Sequence, residues 1–511
     1  MNQGVNGIAD AAQDSSIDNE VVAVQKGNKK DKQKQKKNGK RRPETLTPEY
    51  IEQQRALRNA AKEKKLAEMV AKGIDISQID TPDYLRFITR NVLPIPHPNR
   101  GKDDDEKGIE NLNVKIMTYN LLAQALIRRT LFPTNGNALK WSRRSQVLLN
   151  ELKYYNCDIL CLQEVDFTQY NSFWKERMKN LGYDNQYYRS GVKNHGIAIF
   201  YRSDLFKCID ICHIDYDKES TGNVEQVTLS TNVGLILALE FQDSIKRQFP
   251  KSTKKGCMVF TTHLFWHPFG TFTRTLQTYI MLKKYKEFIH RVNVLHQTTD
   301  ECWFKFAAGD FNSQPYDAPY LSITEKPVSY DSRCRTVISC STAFQFSQLR
   351  GTGIDEEKEE NIELVGENQP KDPVPESFKA TPEQQQMVQD VTNLHNSLDM
   401  RVISLYSVAY KYVHGENTDN NKGEPIFSNW AHAWRGLLDY IFVVKHWDLK
   451  EDCKNVDDLE KFEMENDIEI KGLLKMPLPQ EMGPEPSGQP REGMYASDHL
   501  CMIADLGLKM K

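Results

Sequence analysis

"FKFAAGDFNSQP", residues 304–315, is a short apolar run that stops abruptly at Gly-Asp-Phe-Asn. The run reads as a buried β-strand. Its end sets a carboxylate, Asp310, two residues from a carboxamide, Asn312. Residues i and i+2 of an extended chain face the same way, so both side chains are expected to point together into whatever lies above the strand end. Asp, Asn, Gly and Pro are also ordinary turn residues, and an Asx-type turn accounts for the stretch taken alone. The neighbouring strands separate the two readings.

"VKIMTYN" ends at Asn120, "CDILCLQE" at Glu164 and "CMVFTTH" at His263. Two later strands reverse the order: Asp439 stands near the start of "LLDYIFVV", and Asp498-His499 open "SDHLCMIADL". If those two run antiparallel to the others, every one of these residues meets on one rim. Helical patterns such as "RRSQVLLNELKYY" and "RTLQTYIMLKKYKEFIHRV" lie between the strands. The mixture predicts an α/β protein with sheets covered by helices, and ligands of open α/β sheets bind at the carboxyl ends of strands. Carboxylates, carboxamides and imidazoles without thiolates suit hard cations such as Mg²⁺ and do not suit structural zinc. Such a rim fits phosphoryl transfer. Carboxylates hold ions that neutralise charge in an in-line displacement, and an Asp-His pair supplies a positioned imidazole.

The chain has 511 residues, a formal net charge of -3 and 39% hydrophobic residues, values ordinary for a globular protein. No apolar run of about 18 residues exists, so no membrane span is expected. The opening "MNQGVNGIAD" lacks the pattern of a secretory signal, and Asn2 excludes N-myristoylation. The 10 Cys are scattered, several within apolar runs, which predicts reduced, core-filling thiols in the nucleus, nucleolus or cytoplasm. Neither paired CxxC motifs nor HExxH occurs, so no zinc site is expected.

Residues 1–46 are expected to be a disordered tail. Its basic run "KGNKKDKQKQKKNGKRR", 26–42, reads as a nuclear or nucleolar address, an arm for phosphate backbones, or a solubilising tail. Residues 47–83 predict a charged peripheral helix, with Thr47 as cap, Pro48 in the first turn and Gly73 as stop. Residues 84–508 then form one catalytic domain. The acidic, Pro-containing stretch 351–386 and the Pro/Gly-rich 478–494 are expected to be flexible insertions.

Taken as an ordered set, "MTYN", "LQEV", "THLFWHP", "GDFNS", "LDYIF" and "SDH" resemble the endonuclease/exonuclease/phosphatase superfamily of Mg²⁺-dependent phosphodiesterases. The set is most similar to the deadenylase branch with nocturnin, the Angel proteins and the fungal Ngl-type RNA exonucleases. "KWSRRSQVLLNELKYYNCDILCLQEVD" and "EPIFSNWAHAWRGLLDYIFV" match that branch too, and the resemblance covers about 84–508 apart from the insertions. It implies a two-sheet α/β sandwich flanked by helices. It also implies Glu164 as the principal carboxylate for Mg²⁺, with two ions in the site and Mn²⁺ as a substitute. Asn120 would lie beside Glu164. Asp310 would position the attacking water with Asn312 on the phosphate. His499 would contact the scissile phosphate, oriented by Asp439, with Asp498 adjacent and His263 on a phosphate oxygen. Pro268 and Trp434 would hold the terminal base from either side.

Ser313-Gln314 follow Gly-Asp-Phe-Asn as in the nucleases, where inositol-phosphate phosphatases usually have Tyr-Arg, and Leu122 stands where apurinic endonucleases carry a metal-binding Asp. Two positions depart from the branch: His195 replaces an acid before Gly196, and His267 replaces the Asp of Trp-Asp-Pro. The activity implied is Mg²⁺-dependent 3′-to-5′ trimming of RNA 3′ ends, including ribosomal RNA precursors or poly(A). The alternatives are a phosphatase acting on a small dinucleotide and a catalytically silent RNA-binding adaptor.

Overall fold

The apolar runs are strands of two mixed sheets in a computed structural model, which describes residues 48–71, 75, 78, 80–97, 111–128, 132–342, 378–418, 421–432, 434–483 and 488–510. The chain divides into two units, Met1–Glu68 and Met69–Lys511. A helix runs Pro48–Ala71, its residues exposed along most of its length, as its few apolar positions require. The expected disordered tail, Thr47 and Gly73 lie outside the described residues. No described helix is long and apolar enough to cross a membrane.

The strands are β1 (Val92–Pro94), β2 (Asn111–Asn120), β3 (Ile159–Asp166), β4 (Tyr183–Tyr188), β5 (His195–Arg202), β6 (Phe206–Asp215), β7 (Val233–Phe241), β8 (Gly256–His263), β9 (Trp303–Asp310), β10 (Met400–Ser404), β11 (Asn429–Ala431), β12 (Trp434–Gly436), β13 (Asp439–His446), β14 (Ile468–Leu474) and β15 (Met502–Lys509). One sheet has the order β1-β14-β15-β2-β3-β5-β4 and the other β10-β13-β9-β8-β7-β6, while β11 and β12 form a separate ribbon. The pairs β2–β3 and β8–β9 are parallel. β15 pairs antiparallel with β2 and β13 antiparallel with β9, the condition under which the polar strand ends meet on one rim.

Strand side chains alternate in direction, and each sheet uses both faces. Val114, Ile116, Ile159 and Ile199 of the first sheet share a core with Leu235, Phe260, Phe306 and Phe442 of the second. The opposite face of β2 and β3, with Met117, Tyr119, Leu160 and Leu162, packs on Val147, Leu148 and Leu152 of the helix Trp141–Tyr155. The helix Thr271–His296 covers the second sheet and is pinned there by Tyr285, whose hydroxyl donates to the Met258 carbonyl at 2.7 Å. Both faces of the central strands are therefore dry, which is why they read as near-continuous apolar runs. The fold is the expected sandwich.

The sequence placed flexible insertions at 351–386 and 478–494. Residues up to 377 of the first lie outside the described set, but a helix, Pro382–Asn396, already begins within it. Thr381 and Gln384 form a reciprocal capping box there with Pro382 in the first turn, a start signal that the acidic composition upstream obscured. In the second, 484–487 are outside the described residues, whereas Gly488, Gln489 and Pro490 are buried. Asn135 holds that segment by donating to the carbonyls of Gly488 and Pro490.

Candidate active site

Glu164 sits on β3 with φ 53°, a left-handed conformation rare for any residue but glycine. The cause is a bulge. Leu162 pairs with Ala198 and Val165 with Gly196, so Gln163 and Glu164 oppose Ile197 alone. A bulge re-aims a side chain, and here it turns Glu164 toward the second sheet. On the other side of β5, Gly196 allows close approach of the end of β4, because a Cβ at that position would lie 2.3 Å from the Tyr188 carbonyl oxygen. The carboxylate is held on both oxygens: the Asn120 amide donates to Oε1 at 2.9 Å and the Ala123 amide to Oε2 at 2.8 Å.

The same Asn120 amide nitrogen donates to Asp310 Oδ2 at 2.9 Å, so one buried carboxamide joins a carboxylate from each sheet. The parallel pairing sets His263 opposite Asp310, and the antiparallel pairing sets Asp439 opposite it on the other side. Gly309 allows this close approach of β8 and β9, since a Cβ there would sit 2.4 Å from the Thr262 carbonyl oxygen. His263 reaches Asp310 at 3.6 Å through Nε2 and Glu164 at 4.0 Å through Nδ1. His499 Nδ1 lies 2.7 Å from Asp439 Oδ2, which also accepts from Ser428 Oγ at 2.7 Å, and His499 Nε2 faces Asp310 Oδ2 at 3.6 Å.

Burial pushes the Asp310 carboxyl up to about 7; the nearby His499 opposes this and Asp439 adds to it. For His499 burial works against the charged form, but Asp439 and Asp310 outweigh it and raise the imidazole well above its ordinary value. Glu164 is also raised, first by burial and then by Asp498, with His195 pulling the other way. Like charges on directly opposed strand positions are unfavourable. The site concentrates them around the His499 imidazole, which they hold well above its ordinary value.

Asn312 reaches the site by a route other than strand alternation. It has φ 47°, its backbone amide donates to Asp310 Oδ1 at 3.0 Å, and its Nδ2 donates to the Leu264 carbonyl at 2.9 Å. The extended geometry expected for residues 310–312 is therefore corrected to an Asx turn, closed by the Asn312 backbone amide on the Asp310 carboxylate, with the Asn312 side chain on Leu264. His499 likewise precedes β15, which begins at Met502, and lies in an extended segment bridged to Asn429 of β11. Asp498 acts electrostatically on Arg144 and Glu164 and, after Asp439 and Asp310, on His499. Pro268 lies in the loop after β8, whose carbonyls at Phe265 and His267 are held by buried Arg274 at 3.0 and 2.6 Å. Trp434 on β12 packs over Gly436 beside the Gln314 side chain.

Arg144 was not singled out in the sequence. It is fully buried on the helix Trp141–Tyr155 and donates to the carbonyls of Leu121, Leu122 and Ala496, fastening the loop after β2 to the segment before His499. Burial lowers its guanidinium to about 10, with Asp498 acting against the shift. The signal available was an arginine on the apolar face of an amphipathic helix. His195, noted only as a departure, is buried at the rim with its ring centroid 6.4 Å from that of His263.

Residues 117–499, which contain all these side chains, match the model of the Endonuclease/Exonuclease/phosphatase family. The chain belongs to the endonuclease/exonuclease/phosphatase family. Within reach of it by sequence is RNA exonuclease NGL2 of Saccharomyces cerevisiae, 51% identical over 486 residues, 93% of this chain and 92% of that protein. Probable RNA exonuclease NGL3 of the same yeast is 40% identical over 478 residues, 91% and 90% of the two chains. The crystal structure of ANGEL2, a 2′,3′-cyclic phosphatase, in complex with adenosine-2′,3′-vanadate, has 21% identity and a TM-score of 0.51, covering 83% of this chain and 99% of that one; it shares the fold.

Members of the endonuclease/exonuclease/phosphatase family generally depend on a divalent metal, and the donor set here fits one. Ligand atoms of Asp310, Asp439 and His499 lie within 4.8 Å of one another. Asp439 Oδ1 is buried with no hydrogen-bond partner among the described residues. The carboxylate oxygens among these donors suit a hard cation.

Proposed function

We propose that this chain is a Mg²⁺-dependent 3′-to-5′ exoribonuclease that trims RNA 3′ ends by phosphodiester hydrolysis. The observation that carries the reading is the Asn120-bridged pair of Glu164 and Asp310 beside the Asp439–His499 pair. It occurs in a chain 51% identical to a protein named RNA exonuclease. Trimming of ribosomal RNA precursors or shortening of poly(A) are the substrates this reading assigns.

Glu164 with Asn120 beside it would hold one ion, and Asp439 Oδ1, which has no hydrogen-bond partner among the described residues, offers a second position. Bound Mg²⁺ supplies charge neutralisation at the phosphate. The chain's own residues do the rest. Asp310, with a pKa near 7, is matched to take a proton from water at neutral pH. His499 is kept cationic and oriented by Asp439, and it stabilises charge developing on the phosphate. Asn312 spends one N–H of its amide on Leu264 and has a second for a phosphate oxygen. His263 stands between Glu164 and Asp310 on the same side. Pro268 and Trp434 hold the terminal base. The basic run at 26–42 suits a nuclear address or an arm for RNA.

Incubating 5′-labelled RNA with Mg²⁺ and either wild type or Glu164→Ala tests the assignment. Wild type is expected to give a ladder of shortened RNA and nucleoside 5′-monophosphates, and the variant none. Undiminished trimming by Glu164→Ala, or release of inorganic phosphate alone, would overturn it.

A further inference from the structure

Beyond the catalytic rim, the first sheet carries an aromatic face that the chemistry above does not use. β3 ends at Asp166, and a helical segment starts at the next residue. Phe167, its first residue, is 44% exposed. The segment passes into a π-helical turn, Tyr170–Trp174, before continuing as Lys175–Asn180. Such insertions occur often at functional sites. The turn buries Phe173 and Trp174 together while Tyr170 remains half-buried. Tyr170 stacks on Tyr187 of β4 with ring centroids 4.3 Å apart and planes at 15°, and Phe167 lies 6.3 Å from Tyr187.

A cation completes the face. The Arg189 guanidinium lies 4.3 Å from the Phe167 ring centroid, and it gathers the loop 190–193 by donating to the carbonyls of Ser190, Gly191 and Lys193. The Phe167 amide donates to the Asn194 carbonyl at 2.8 Å, so loop and ring are fastened to each other. That loop leads into a recess lined by Lys193, His195, Asn232 and His263. His263 is already within 4.0 Å of Glu164. The exposed Phe167, Arg189 and the loop it gathers thus adjoin a recess that reaches His263 beside Glu164.

We propose that this face is a track for single-stranded RNA. Phe167 stacks a base upstream of the scissile phosphate, and the Lys193–His195 recess receives backbone phosphate between that base and Glu164. The occupant follows from the chemistry: stacking accepts any base, and cations beside rings follow the backbone, the combination by which proteins bind single strands without reading sequence. Pro268 follows β8 and Trp434 stands on β12, whereas Phe167 follows β3 and the recess opens between β5 and β8, so a strand whose terminal base lies between the former two and whose backbone enters the recess meets Phe167 further along. The placement of the terminal base rests on the reading under Proposed function.

The test compares Phe167→Ala, Phe167→Trp and wild type on a dinucleotide and a decanucleotide of RNA. Phe167→Ala is expected to raise KM for the decanucleotide about tenfold, the size of one lost base–aromatic stack, with kcat unchanged. Dinucleotide kinetics should be unaltered, and Phe167→Trp should restore the long-substrate KM. The same comparison of decanucleotide affinity, made by fluorescence anisotropy in the Glu164→Ala background, reads the track independently of turnover. Absence of hydrolysis by wild type would then sink the exonuclease reading alone. Equal decanucleotide affinity for Glu164→Ala with and without Phe167→Ala, or equal losses on both substrate lengths, would overturn the track and leave the face to a protein partner.

Discussion

Glu164 combines an acid whose charged form is disfavoured by burial with a backbone that costs energy to hold. Left-handed φ in a non-glycine residue costs roughly 1–2 kcal/mol, and such strain collects where function requires it. Glu164→Gly removes both the carboxylate and the strain. We expect it to abolish RNA hydrolysis while leaving the melting temperature equal to or above that of wild type. Glu164→Ala keeps the strain and should melt below Glu164→Gly. Thermal unfolding of the two variants side by side measures this, and a Gly variant less stable than the Ala variant would contradict the account of the bulge.

Arg144 belongs to the scale of the element. From one helix its guanidinium satisfies carbonyls of two chain segments, Leu121–Leu122 and Ala496, and the first of these leads into Ala123, whose amide holds Glu164. Arg144→Met leaves those carbonyls buried without donors. The expected cost is about 3 kcal/mol or more, read as a fall in the urea midpoint. Arg144→Lys should recover little, because a single ammonium cannot copy a planar fork. A wild-type midpoint in Arg144→Met would show that water replaces the guanidinium. At the same scale, Thr381→Ala should cost about 1 kcal/mol through loss of the cap on Pro382–Asn396, again measurable by urea unfolding.

For the whole molecule, buried acids tie stability to pH. Glu424 is fully buried and accepts from the Tyr320 hydroxyl at 2.9 Å, yet burial pushes its pKa from 4.5 to about 7. The folded chain thus binds this proton more tightly than the unfolded chain. Its contribution is complete below pH 4.5 and is lost as pH rises through 7, a change of about 3 kcal/mol. Asp310 works in the same direction over a window that opens lower, from 3.8 to about 7. Glu424→Gln should therefore gain stability relative to wild type between pH 5 and pH 7.5, with melting temperatures at the two pH values reading the gap. A gap that stays constant with pH would mean Glu424 is ionised at no cost.

The strands, their polar ends and their opposed directions were legible in the sequence, because burial on both faces writes a continuous apolar run and a rim residue interrupts it where the strand stops. "TTH", "AAGD" and "LLDYIF" marked His263, Asp310 and Asp439 before any pairing was known. Chain connectivity alone did not show how Glu164 enters the site, since a bulge depends on the register between β3 and β5. Nor did it show that Asn312 turns back by an Asx turn, that Arg144 ties two distant segments, or that Phe167 adjoins the Lys193 loop. Local periodicity was enough to tell which residue types stand at the ends of which strands. Which carboxylates share one carboxamide was settled by packing, because Asn120 and Asp310 belong to different sheets and meet when the two apolar faces come together.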